Sequence, residues 1–486
     1  MSNRRRSAAL VRLHRRLAWL GGIALVVFGL SGLSHPLMTW FGPQQAAFFP
    51  PQGLFDGRDI AAIPAVLAAN GIQRAQQVKV MPTPEGNLLQ VSGEDGILRR
   101  YFNLTTGAEL PEFDRRQGEW LARHYTGRAD TPIRAIQLQT TFDDAYPAVN
   151  RLLPVWRVDF VTDDNLSAFV HTELNALAAL TNDTRTLQQT LFQALHTWRW
   201  LDRVEPARVL ALLVLVGALA ALCLVGLALL VAMPRRDLKG ARRWHRALAL
   251  AIWLPLLAFA LSGLLHLLHN AGGAGDGGFR HGPPLALDAA RFGGASGELD
   301  ALADRPLNSI TLVAGPSGEI LYRLGEPAGQ PGQAVTHHGR FAGTPTEKPA
   351  RLIDAASGAV SALDDEALAR LAAARHLGIP PDSLGASTPV TAFGPDYDFR
   401  NKRLPVWRVE HTGGSVFIDP ANGALVDSAS RADRIEGLSF SHLHKWNFLT
   451  PLVGRQGRDG LAVAVILLAL GLAGLGAGLM ARRRRA

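Results

Sequence analysis

Four stretches of this chain run for at least twenty residues without a single Asp, Glu, Lys or Arg: Leu17–Trp40, Val209–Met233, Ala247–Leu268 and Leu461–Met480. A hydrocarbon core of about 30 Å takes about 20 apolar residues to cross as a helix, so each stretch predicts a membrane span. Two of them share a pattern. Leu13-His14-Arg15 leads into the first, which ends with Ser31-Gly32-Leu33-Ser34-His35 inside it; Trp244-His245-Arg246 leads into the third, which ends with Ser262-Gly263-Leu264-Leu265-His266. The offset between His14 and His245, Ser31 and Ser262, and His35 and His266 is 231 in every case. In each copy the two histidines are 21 residues apart, a rise of about 31 Å that returns to within about 60° of the same helix face. A helix built this way carries an imidazole near each membrane surface on one side, which suits a chain of cofactors across the bilayer.

Once the spans are assigned, the net charge of +9 reads as topology rather than as nucleic-acid binding. Arg4, Arg5, Arg6, Arg12, Arg15 and Arg16 precede the first span. Arg235, Arg236, Lys239, Arg242, Arg243 and Arg246 fill the short loop between the second and third, and Arg482–Arg485 close the chain. Asp237 is the one acid among them, so the rest of the chain is net acidic. Basic flanks stay in the cytoplasm, which puts both termini and the short loop there and the two long regions outside. The predicted order is a basic N-terminus (1–16), span one (17–40), an outer region (41–206), span two (207–233), a basic loop (234–246), span three (247–269), a second outer region (270–459), span four (460–481) and a basic tail (482–486). No small-residue cleavage site precedes His35, so the first span reads as a retained anchor. Cys223 is the only cysteine and lies in the second span, which excludes disulfides, zinc–thiolate centres and C-x-x-C-H haem attachment within one chain.

The outer regions alternate helical and strand patterns. Asp59–Asn70 has apolar residues at helical spacing, and Gln77–Met81, Leu88–Ser92 and Leu98–Phe102 read as strands separated by Pro84-Glu85-Gly86 and Glu94-Asp95-Gly96 turns. Asn103-Leu104-Thr105-Thr106-Gly107 closes that unit, and a helix over Leu187–Trp200 brings Leu195-His196-Thr197-Trp198 to the second span. The second half follows the same plan. Leu404-Pro405-Val406-Trp407-Arg408-Val409 matches Leu153–Val158 at an offset of 251, and Leu443-His444-Lys445-Trp446 matches Leu195–Trp198 at 248. Matching blocks in one order indicate a tandem duplication, and two spans per half make the repeats parallel. Ala271–Gly278 reads as a flexible link and Gly325–Pro349 as an exposed loop.

Helix-and-strand units ending in Asp-x-x-Asn-Gly type turns, as in Asp419-Pro420-Ala421-Asn422-Gly423, set between spans that begin Leu-His-Arg and preceded by Leu-His-x-Trp, resemble the PepSY-associated transmembrane family over about residues 8–482. The first half departs from it at Glu173-Leu174-Asn175-Ala176, which stands where the second has Ala421–Ala424. The resemblance implies a membrane α-helical bundle of four spans in two tandem parallel repeats with extracytoplasmic α+β PepSY-like domains, in a bacterial inner membrane. Some members of that family are siderophore-iron reductases that bind b-type haem through histidines. The implied partners are then the lipid bilayer, a ferric siderophore or other periplasmic acceptor, and a cytoplasmic or quinol electron donor, with no nucleic acid.

Six of the fifteen histidines form three pairs at membrane edges: His14 with His245, His35 with His266, and His196 with His444. Neutral imidazole ligates haem iron, and side chains from facing helices build cofactor sites in bundles. These residues are therefore the candidate ligands of two haems b: His14 and His245 at the cytoplasmic side, and either His35 and His266 or His196 and His444 at the outer side, with His269 in reserve. The small residues Gly21, Gly22, Gly29, Ser31 and Gly32, with Ser262 and Gly263, would admit a flat macrocycle or equally a tight helix contact. A histidine at a membrane edge is commonly just an interfacial polar group, and Trp198 and Trp446 read as belt anchors. His337-His338 in the loop reads as solvated. No phosphate-binding glycine motif is present. The competing function class is a non-redox membrane protein that binds or regulates a periplasmic peptidase or transporter.

Overall fold

The computed structural model describes residues 2–51, 53–233, 238–272, 278–293, 306–326, 350–394 and 396–484. Most of the Ala271–Gly278 and Gly325–Pro349 segments, His337, His338, Arg235 and Arg236 lie outside the described residues, as do the side chains of Arg4–Arg6 and Arg483–Arg485. The chain divides into two compact units. One is Met1–Gly42, Asp183–Ala274 and Ala432–Ala486; the other is Pro43–Asn182 and Gly275–Arg431.

The first unit is helical. It contains α1 (Ser2–Phe41), α4 (Asp183–Phe192), α5 (Glu205–Ala232), α6 (Ala241–Ala271), α8 (Arg431–Ser439) and α9 (Thr450–Arg484). Four helices, within Ser7–Phe41, Arg199–Ala232, Ala241–Ala271 and Asn447–Arg482, are long and apolar enough to cross a bilayer, and the chain is a multi-pass membrane protein on that ground. Each outlasts its charge-free stretch, because α1 and α6 begin in the basic segments and α9 begins before Arg455, Arg458 and Asp459. Gly454 (φ 69°, ψ 173°) breaks α9 near its start, a conformation open to glycine. Helices α1 and α6 each pack against both α5 and α9 and lie diagonally opposite one another. Ala24, Leu25, Leu219, Ala220, Ile252, Leu256, Ala260 and Ala469 fill the middle. A Cβ on Gly21 would sit 3.0 Å from the Ala218 carbonyl and from Leu222, and one on Gly29 would sit 3.1 Å from Leu470. These two glycines serve close helix contact.

The expected helix over Leu187–Trp200 is not continuous. α4 ends at Phe192, a π-helical turn covers Gln193–Thr197, and Trp198 (φ 54°) turns the chain into the left-handed region. After α8 the same sequence of events recurs: a π-helical turn over Phe440–His444, then Trp446 at φ 54°. A π-turn adds a residue to the helical turn and re-aims the side chains on it, and such turns gather at functional sites. His196 and His444 both lie on one.

The second unit is built of sheets. Strands β2 (Gln77–Thr83), β3 (Gly86–Ser92) and β4 (Arg99–Asn103) form one meander, and β10 (Ser309–Ala314), β11 (Ile320–Gly325) and β12 (Arg351–Asp354) form another. The two join through β2 and β10 into a six-stranded sheet of order β12-β11-β10-β2-β3-β4. The sequence pattern predicts these meanders in separate regions; pairing β2 with β10 satisfies an open edge on each. Helix α2 (Gly57–Ala69) starts with an Asp56–Asp59 capping box and buries Ile60, Ile63, Val66 and Leu67 against one face of the sheet. Strands β1 (Arg74–Ala75) and β9 (Leu285–Ala286) form a short ribbon.

Two four-stranded antiparallel sheets complete the unit. One is β5 (Ile133–Gln139), β6 (Val155–Phe160), β7 (Ser167–His171) and β8 (Ala176–Thr181), packed on α3 (Phe113–Thr126). The other is β13 (Ser387–Val390), β14 (Val406–His411), β15 (Gly414–Asp419) and β16 (Ala424–Ser430), packed on α7 (Asp365–Leu377). Both run in strand order. Tyr146 donates to the Leu152 carbonyl at 2.8 Å and stacks on Phe169, and Tyr397 donates to the Arg403 carbonyl at 2.9 Å and packs on Phe417. Asn175 (φ 49°) holds the left-handed place in the β7–β8 turn that Gly423 (φ 65°) holds in the β15–β16 turn. The substitution that looked like a departure in the sequence keeps the turn, since Asn tolerates positive φ better than other side chains.

Arg403 ties the parts of this unit together. Its guanidinium, 4 % exposed, meets Glu173 at 2.8 Å and Asp419 at 3.0 Å. Replacing Arg403 with Met takes away the one guanidinium that bonds both buried carboxylates, and the expected loss is about 3–5 kcal/mol. Denaturant unfolding of the purified variant measures it; a loss below about 1 kcal/mol, as for an exposed pair, would contradict the burial of this triad.

Candidate cofactor site

At one end of the bundle, the rings of His14 on α1 and His245 on α6 face each other across the diagonal. Their centres are 6.4 Å apart and their planes stand at 78°. The Nδ1 atoms of both rings are buried and make no hydrogen bond, although the main chain of Leu472 lies close to His245. Glycine makes room for each ring: a Cβ on Gly226 of α5 would be 3.8 Å from the His14 ring, and one on Gly476 of α9 would be 3.3 Å from the His245 ring. The two arrangements correspond, each imidazole being set against a glycine of the neighbouring span. Two imidazoles that bind one metal from opposite sides through bonds of about 2 Å place their ring centres about 6 Å apart. The observed separation fits that requirement.

Seventeen residues along α1 from His14, about 25 Å by helical rise, Ser31 faces His196. The Ser31 hydroxyl lies 2.9 Å from His196 Nδ1 and 2.8 Å from the Val27 carbonyl. Ser262 on α6 repeats this with His444: its hydroxyl lies 3.1 Å from Nδ1 and 2.7 Å from the Ala258 carbonyl. A hydroxyl has one hydrogen. Given to the carbonyl, it leaves the serine oxygen to accept from the imidazole, so Nδ1 carries the ring proton and Nε2 keeps its lone pair. That is the tautomer a metal-ligating histidine needs, with its second nitrogen oriented by a hydrogen bond. Aromatic rings fix the planes. Phe28 meets His196 edge-on at 5.6 Å and Phe192 stacks on it at 4.6 Å; Phe259 meets His444 edge-on at 5.5 Å and Phe440 stacks on it at 4.7 Å. His196 and His444 are within electrostatic range of each other and of His35 and His266.

The third predicted pair is used differently. His266 Nδ1 pairs with Glu436 at 2.6 Å, and its Nε2 accepts from the Asn270 amide at 3.0 Å, so neither nitrogen is free. Phe440 stacks on His266 at 4.4 Å as well as on His444. His35 is exposed, and its charged neighbours are Lys445, Arg455, Arg458 and Asp459. His269 pairs with Asp433 at 2.7 Å. The structure thus brings His14 to His245, holds His196 and His444 alike, and engages His266 and His269 with carboxylates. Trp198 and Trp446 donate to the carbonyls three residues earlier and close the π-turns.

The serines stood out in the sequence only as small residues, and the phenylalanines and Gly226 and Gly476 did not stand out at all. The signal was available: Phe192 and Phe440 are 248 apart, as are His196 and His444, and Phe28 and Phe259 are 231 apart, as are Ser31 and Ser262. Among the described residues no three His, Cys, Asp or Glu side chains converge on a metal ion.

No protein-family model and no curated protein matches this sequence.

Proposed function

We propose that this chain is a di-haem b protein of a bacterial inner membrane that carries electrons across the bilayer to a periplasmic acceptor, a ferric siderophore. The observation that carries the proposal is the facing of His14 and His245 at 6.4 Å inside a membrane-spanning bundle. The tautomer imposed on His196 and His444 by Ser31 and Ser262 supports it from the other end. In this reading His14 and His245 hold one haem and His196 and His444 the other. Haem supplies one-electron redox chemistry; the chain supplies ligation, the orienting hydroxyls and an apolar surround that sets the potential.

The basic flanks favour cytoplasmic termini with the sheet-built unit in the periplasm. Electrons enter from a cytoplasmic or quinol donor near His14 and His245 and leave near His196 and His444. Ferrous iron is held less tightly by hard oxygen donors than ferric iron, so reduction loosens it from the chelator. The corresponding contacts at offsets of 231, 248 and 251 support a tandem duplication, and with the resemblance to PepSY-associated membrane proteins they support the choice of acceptor.

The test is an absorption spectrum of the full-length protein purified from haem-replete cells. Soret and α bands that sharpen on dithionite reduction, with two haems per chain by pyridine haemochrome, are expected. A colourless preparation overturns the redox reading and leaves a membrane protein that binds or regulates a periplasmic partner.

A further inference from the structure

The six-stranded sheet has one apolar face, covered by α2, and an equally closed opposite face on which a polar row runs beside buried Leu88, Val313 and Leu321. Five cross-strand neighbours form a polar row: Arg323 opposes Thr311, Thr311 opposes Lys79, Lys79 opposes Gln90, and Gln90 opposes Tyr101. Ser92 and Arg99 oppose each other one step along. A sheet face buried in a globular unit is ordinarily apolar, because each unpaired polar atom removed from water is destabilising. Here Thr311, Gln90, Ser92 and Arg99 are all at most 6 % exposed.

The turn after β7 lies over this face. Arg99 reaches Thr172 Oγ1 at 3.0 Å and His171 Nε2 at 3.1 Å, Gln90 donates to the Thr172 carbonyl at 3.1 Å, and Lys79 donates to the Glu173 carbonyl. Arg403 spends its two terminal nitrogens on Glu173 and Asp419. Arg99 has no such partner: among the described residues no carboxylate pairs with it. An arginine can only donate, so His171 Nε2 accepts and its ring proton sits on Nδ1. That Nδ1–H is buried with no partner, and so are Arg99 Nε, Arg403 Nε, the hydroxyls of Ser92 and Thr311 and the Gln90 carbonyl oxygen. Burial, with the positive charges of Arg99, Arg403 and Lys79 beside it, holds His171 well below the usual imidazole range, so it stays a neutral donor.

Three N–H groups and two hydroxyls without acceptors lie next to an arginine that no carboxylate contacts directly, Thr172 standing between Arg99 and Asp114 and Glu173 acting on it only at a distance, and such a donor-rich place suits an anion. We infer that the polar face of the six-stranded sheet binds a small oxyanion, a carboxylate or phosphate group, held by Arg99 and His171 with Lys79 and the hydroxyls of Ser92 and Thr311 beside them. Charge-assisted bonds from a guanidinium fork are the usual means of holding such groups. The β7–β8 turn and the loop carrying Arg403 close the site, so the ligand enters when they part. The inference does not depend on haem, and a colourless protein would test it as well as a coloured one.

The experiment is thermal unfolding and calorimetric titration of the full-length protein in detergent with citrate and, in parallel, inorganic phosphate, against chloride at equal ionic strength. One of the two oxyanions should raise the unfolding midpoint in a saturable way, and which one does so identifies the source. Arg99→Gln should abolish the response. His171→Gln, which alters no charge at neutral pH, should weaken binding about tenfold, the loss of one charge-assisted hydrogen bond. Equal midpoints in citrate, phosphate and chloride overturn the inference. So does an undiminished response in both variants, or a high-resolution structure from citrate and phosphate buffers with ordered water alone among these side chains.

Discussion

Full-length protein carrying His14→Ala together with His245→Ala is expected to bind one haem per chain instead of two. The two rings come to 6.4 Å of each other, each set against a glycine of a neighbouring span, Gly226 beside His14 and Gly476 beside His245. An alanine at both positions removes the two imidazoles that would hold the proposed haem, and among the described residues no group of three His, Cys, Asp or Glu is present to take over. His196 and His444 lie about 25 Å away along the helices, so the second haem of the proposed pair should remain. Pyridine haemochrome content should fall by half while the remaining α band keeps its position. A double variant with full haem content would refute the assignment, and one with none would mean that the two ends do not load independently.

The spans were legible because the signal is strong and local: twenty uncharged residues have few alternatives. The strands of the first meander were legible from turn chemistry, with Gly86 (φ 96°) and Gly96 (φ 66°) at the reversals. The merging of β2–β4 with β10–β12 was not, because pairing between strands some 230 residues apart leaves no mark on either one. At the site, the histidines were visible as matched positions, but their division of labour was not. His35 and His266 are as well matched as His14 and His245, yet Glu436 and Asn270 occupy both nitrogens of His266. Nothing matches Glu436 in the first half, where Gln188 stands 248 residues earlier. An even match of sequence therefore concealed an uneven environment. The π-turns were also hidden, since a single residue inserted in a helical turn leaves the apolar spacing nearly intact, and they are what point His196 and His444 toward Ser31 and Ser262.

That contrast makes the far end of the bundle open to a decisive experiment. On the proposed two-haem reading, His444→Ala is expected to remove the haem assigned to this end, and His266→Ala to leave it in place. His444 offers an Nε2 lone pair, because Ser262 receives the proton of Nδ1 while giving its own to Ala258. His266 offers neither nitrogen. Ser262→Ala separates ligation from orientation. It deletes the acceptor for Nδ1–H and leaves the rings of Phe259 and Phe440 that hold the imidazole plane, so the haem should stay and its midpoint potential should shift. The direction follows from the bond that is lost: an Nδ1–H without an acceptor makes the imidazole a weaker donor to iron, which raises the potential. Losing one ordinary hydrogen bond is worth about 1 kcal/mol, enough to move a one-electron potential by tens of millivolts. Redox titration of each variant, followed at the α band, reads all three outcomes. Haem loss in His266→Ala together with retention in His444→Ala would reverse the ligand assignment at this end.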